Sequence, residues 1–138
     1  MKRVLIFSAI VTAIFVIANY ASGSEQSQAD QYYAPIVSIG QFTGSLAGAG
    51  RHVLDCAISL ELNEQEGVSA LVQSPKWMNR IRSEIFMLIK DRVYDDLASA
   101  EGAIQFAGDI KRTLNRMLSD VGGENPVVNV LFESFILR

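Results

Sequence analysis

His52-Val-Leu-Asp-Cys-Ala-Ile-Ser-Leu-Glu-Leu62 alternates without a break. Leu54, Cys56, Ile58, Leu60 and Leu62 fall on one side of an extended chain, and Val53, Asp55, Ala57, Ser59 and Glu61 fall on the other. A period of two over this length predicts a β-strand with one buried face, and a buried sheet face needs a covering layer. On either side of this strand the chain supplies first another extended segment and then the helices that can cover it.

Upstream, Pro35 to Phe42 places Ile36, Val37, Ile39 and Phe42 in an extended segment that is expected to end in a small-residue hairpin around Gly40, Gly44, Gly48 and Gly50. Gly48-Ala-Gly50 lacks the third glycine and the following helix of a dinucleotide-binding turn. Downstream, Ser74-Pro75 reads as an N-cap followed by proline at the first helical position, and Met78, Ile81, Ile85, Leu88 and Ile89 recur at helical spacing as far as Lys90. Ile85-Phe-Met-Leu-Ile89 fills more than one stripe, so this helix is expected between the sheet and a further element, either a second helix or a neighbouring subunit. Ser99 can cap another helix with Glu101 in its first turn; Ala103, Ala107, Ile110, Leu114, Met117 and Leu118 form its apolar stripe, Lys111, Arg112 and Arg116 its polar side, and Gly122-Gly123 its end. Val127 to Leu137 is β-branched and aromatic on both faces, the pattern of a central strand. The fold class is α+β, in the order β-β-α-α-β with the helices on one face of the sheet.

The N-terminus is of another kind. From Val4 to Ala21 no residue is charged. A helix of that span rises roughly 27 Å, close to the roughly 30 Å of a bilayer's hydrocarbon core. Lys2 and Arg3 precede it and the next basic residue is Arg51, so the positive-inside bias puts residues 1–3 in the cytoplasm, 4–21 across the membrane, 22–33 in a polar juxtamembrane linker and the domain 34–138 outside. A cleaved signal peptide shares the basic start and apolar middle, with Ala21-Ser22-Gly23 as its cleavage site; the domain would then be a secreted or periplasmic binding module. Ala9 and Ala13, spaced i and i+4, offer a face for helix-helix contact in the membrane.

Several functions are excluded on residue chemistry. Lys2 and Arg3 are two of 12 basic residues, leaving ten against 15 acidic ones in the exported part, the wrong balance for a nucleic-acid binder. His52 is the lone histidine and has no cysteine pair with which to complete a metal site, and Cys56 lies mid-strand among apolar residues. Asp95-Asp96 is the only adjacent carboxylate pair and its members point in different directions. With no phosphate loop either, no catalytic constellation and no cofactor are expected.

The chain resembles the flagellar basal body-associated protein FliL family over roughly Ala34 to Arg138. The matching stretches are Arg51-His-Val-Leu-Asp-Cys-Ala-Ile-Ser-Leu-Glu-Leu62, Arg82-Ser-Glu-Ile-Phe-Met-Leu-Ile89, Tyr94-Asp-Asp-Leu97, Glu101-Gly102, Leu114-Asn115 and Val128-Asn-Val-Leu-Phe-Glu-Ser-Phe-Ile-Leu137. The resemblance implies a non-enzymatic motor accessory with an uncleaved inner-membrane anchor and a periplasmic domain of stomatin-like fold. It further implies association with the stator proteins MotA and MotB and with the basal-body ring, and assembly into a homo-oligomeric ring. Ile85, Phe86 and Ile89 are the residues expected on an oligomer or partner surface.

Overall fold

In the computed structural model, which describes residues 34–138, the alternating segment is strand β2 (Val53–Leu62). It lies at the centre of a three-stranded antiparallel sheet between β1 (Ile36–Ser45) and β3 (Val127–Leu137). Leu54, Cys56, Ile58, Leu60 and Leu62 are all buried, as the period-2 pattern requires.

β1 runs further than expected. Gly40 and Gly44 lie within the strand and do not end it. Gly40 sits at a β-bulge with φ +102, a conformation that costs a glycine little. Gly44 lies under a helix, where a β-carbon would stand 2.8 Å from Ile89 Cγ2, so the residue is small because the layers approach closely there. The hairpin itself is the stretch 46–52, pinned by the Ala47 amide donating to Arg92 O at 2.8 Å.

Four helices follow β2 where two were expected: α1 (Val68–Gln73), α2 (Pro75–Lys90), α3 (Tyr94–Leu97) and α4 (Ala100–Gly122). α1 and α3 are too short to display a helical period, and tertiary packing holds them: Val68, Val72 and Leu97 are buried in the common core. Ser74 stands at the N-cap of α2 with extended backbone, but its hydroxyl donates to Leu71 O at 2.7 Å, closing α1, while Pro75 opens α2. Ser99 does cap α4, its Oγ accepting from the Gly102 amide at 3.0 Å, and Gly123 at φ 76 ends that helix.

α2 packs mainly on β1 and α4 on β3, both on the sheet face that carries Leu54 to Leu62. Ile81, Ile85 and Ile89 of α2 and Phe106, Ile110, Leu114 and Leu118 of α4 are fully or almost fully enclosed. Phe106 is absent from the expected stripe, yet it takes the central place, with Ala103 and Ala107 half-buried on either side.

β3 is an edge strand, which corrects the expectation that it is central. Val127, Val130, Phe132, Phe135 and Leu137 line up with the core-facing residues of β2, while Val128, Leu131 and Ile136 are exposed because, among the described residues, no second layer covers the other sheet face. Among the described residues no helix is long and apolar enough to cross a membrane. The expected anchor at Val4–Ala21, with Ala9 and Ala13, and the linker 22–33 lie outside the described residues.

Candidate interaction surface

A three-stranded sheet has two edges, and an exposed edge is a template for pairing unless something blunts it. At the β1 edge the bulge at Gly40 breaks the strand's regularity. Arg82, half-buried on α2, then covers the edge: Nη1 donates to Ile39 O, Nη2 donates to Gln41 O at 3.0 Å, and the guanidinium lies 4.6 Å from the Phe42 ring centre. Those carbonyls are taken.

Among the described residues the β3 edge is closed only at its start. Asn115 of α4 imitates a strand there, its Nδ2 donating to Val127 O at 3.0 Å and its Oδ1 accepting from the Val127 amide at 2.8 Å. Further along, ladder alternation decides what is free. Leu62 donates its amide to Pro35 O, toward β1, so the even-numbered residues of β2 face β1 and their β3 partners turn their own backbone groups away from β2. Those partners are Val130, Phe132, Phe135 and Leu137, and among the described residues their outward amides and carbonyls have no partner. A shallow groove of about 360 Å³ runs beside this edge, with Ala103, Ile104, Ala107, Gly108 and Lys111 of α4 on one side and Asn129, Val130 and Phe132 on the other. It continues past Ala103 to Phe135 and Leu137. Ile104 is 74% exposed.

α2 supplies a second, smaller surface. Of the three residues expected to face a partner, Ile85 and Ile89 are 0% exposed, packed into this chain's own core; Phe86 is 38% exposed, under the Lys90 ammonium at 5.3 Å, with Met87 beside it. The apolar excess of this run is absorbed by the sheet below and by α1 and α4 alongside, so intramolecular packing accounts for Ile85 and Ile89.

Other residues singled out by sequence have structural places. His52 is half-buried with its ring 4.4 Å from that of Tyr94. Asp95 and Asp96 are exposed in the first turn of α3. Asp109 on α4 is held between two guanidiniums, Arg92 at 2.6 Å and Arg112, which fixes the loop after α2 to α4. The Thr43 hydroxyl bonded to Asp55 holds its carboxyl below the usual range; burial opposes this and the paired Arg138 guanidinium assists it. Among the described residues no group of three or more metal-binding side chains comes together.

Burial pushes the Cys56 thiol up to about 11, with the neighbouring Asp55 charge adding to the effect. The neutral thiol is the form the fold favours, so its stabilising contribution is complete below the ordinary thiol range, near 9, and is lost as pH rises toward 11. At pH 8 the native chain should alkylate roughly 100-fold more slowly than the urea-unfolded chain, because nucleophilicity follows the thiolate fraction. Equal rates would place Cys56 outside the core.

Sequence reasoning missed the β3 edge and the α4 groove. The signal was present in the two apolar faces of Val127 to Leu137, which also suit an edge strand with a partner. What the described residues define is a small two-layer α+β domain with one blunted sheet edge and one whose backbone groups have no partner among them.

The model of the flagellar basal body-associated protein FliL family matches residues 36–137, from the first residue of β1 to the last of β3. The chain belongs to this family and is thereby a flagellar basal body-associated protein. No curated protein matches it.

Proposed function

We propose that the chain is a non-enzymatic accessory of the flagellar motor. Val4–Ala21 holds it in the inner membrane, residues 1–3 are cytoplasmic, and the domain 34–138, of stomatin type, stands in the periplasm at the end of the linker 22–33. There it associates with the stator proteins MotA and MotB and with the basal-body ring, in a homo-oligomeric ring that supports torque. The observation that carries this reading is the family match over the whole described domain. The charge asymmetry of Lys2 and Arg3 about an uncharged run supports the topology. Ala9 and Ala13 are the proposed membrane contacts, and Phe86 is the exposed member of the proposed α2 surface.

The topology is tested with a reporter active only in the periplasm, fused after Arg138, and by alkaline carbonate extraction of the unfused protein. An active reporter and a protein that stays in the membrane are expected. Release by carbonate, with a mature chain beginning at Ser24, would instead establish a soluble periplasmic module.

A further inference from the structure

We infer that β3 pairs with β3 of a second copy of this chain, antiparallel, about a two-fold axis passing between Glu133 and Ser134. The spacing of the free backbone groups carries the inference. The backbone amides and carbonyls of Val130, Phe132, Phe135 and Leu137 point away from β2 while their side chains pack on the core, and a register shift within β3 separates Phe132 from Phe135 by one extra residue. The series reads the same from either end about the midpoint of Glu133 and Ser134. Turned about that midpoint, Val130 meets Leu137 of the second copy and Phe132 meets Phe135, so every outward amide and carbonyl finds a partner in a continuous antiparallel ladder. An arbitrary extended peptide has no reason to match an irregularity placed at the centre of the series.

The helix layer agrees with the same axis. Ala103 borders both parts of the groove, the one at Phe132 and the one at Phe135, so the midpoint of the β3 series lies beneath its turn of α4. Ile104 occupies that turn and is the most exposed large hydrophobic residue described. The two-fold brings Ile104 of each copy together, and the small neighbours Ala107 and Gly108 leave room for a second helix at the usual 8–10 Å separation. Glu133 does not oppose the contact, because its carboxylate turns back to accept from Ser59 Oγ on β2. A head-to-tail alternative, β3 on the β1 edge of the next copy, meets the Gly40 bulge and Arg82 already bonded to Ile39 O and Gln41 O. The contact is therefore isologous and closes on itself, so a ring of copies needs a second contact elsewhere on the domain. The pairing holds or fails independently of the role proposed in the motor.

The test uses the full chain in detergent. Mild oxidation of an Ile104→Cys variant should give a disulfide-linked dimer, while Val121→Cys, exposed on the same helix away from the axis, should not link. An Ile104→Glu variant, substituted at an exposed position, should keep its thermal transition and raise the dimer dissociation constant at least about tenfold, since the charge is desolvated only in the pair. In concentrated wild-type protein the β3 amides should exchange slowly, and in Ile104→Glu they should exchange fast. The inference is overturned if Val121→Cys links and Ile104→Cys does not, or if folded Ile104→Glu dimerises as well as wild type. Slow β3 exchange that persists in Ile104→Glu, with no Ile104→Cys link, would also overturn it by showing another occupant of the edge.

Discussion

Gly102→Ala is expected to destabilise the domain by about 3 kcal/mol, a loss on the order of 10–20 °C in Tm. Helix propensity alone gives the opposite sign, because alanine is favoured over glycine inside a helix by about 1 kcal/mol. The structure reverses it. A β-carbon at Gly102 would overlap the carbonyl oxygen of Asp96, and Ser99 Oγ, which accepts from the Gly102 amide, lies 3.2 Å from the same point. Both are fixed: Asp96 belongs to α3, which packs directly on α4, and Ser99 is the helix cap. The clash therefore falls on backbone and on a cap, which cannot rotate away. Gly108 provides the comparison. It lies in the same helix, and a methyl group added there would meet nothing within 4 Å, so Gly108→Ala should gain about 0.5–1 kcal/mol. Thermal unfolding of both variants reads the difference, and equal effects would mean that α3 does not sit over the first turn of α4.

The second large effect separates core from surface on α2. Ile85→Glu should leave no folded domain at room temperature, because an unpaired carboxylate in place of a fully enclosed side chain costs several kcal/mol, comparable with the roughly 5–15 kcal/mol that holds a domain together. Phe86→Glu, one residue along, should cost about 1 kcal/mol and leave the circular dichroism spectrum unchanged. A folded Ile85→Glu protein with weakened self-association would return Ile85 to an interface.

These neighbours show how far sequence carries. Strand β2 is legible because a strict period of two reports one buried face, and α2 and α4 because caps, proline, terminal glycine and apolar spacing agree along their length. The division of Ile85 from Phe86 is not, since an over-apolar helix end looks the same whether its own sheet or a second molecule covers it. Gly40 and Gly44 resemble loop residues because the reasons for them, a bulge under Arg82 and a close helix, lie in tertiary structure. β3 reads as central because apolar residues on both faces usually mean two covering layers. Among the described residues one face is covered by helices, the other has no covering layer, and the edge carries backbone groups without a partner. Asn115 stands among the residues that resemble the family, but its work of closing the start of that edge rests on a contact with Val127 that no spacing announces.

Motility under load tests the central claim most directly. A tethered domain explores roughly 5–6 Å times the square root of the linker's residue number, so a linker of the length 22–33 restricts it to partners around its own anchor. Torque and swimming in viscous medium should fall when the gene is deleted and recover with the full chain. They should stay low with an exported chain lacking Met1–Ala21 at equal abundance, since the local concentration at the stator is lost. Full recovery by that soluble chain would contradict the anchored mechanism, and a deletion that leaves motility unchanged at both low and high load would contradict the motor role itself.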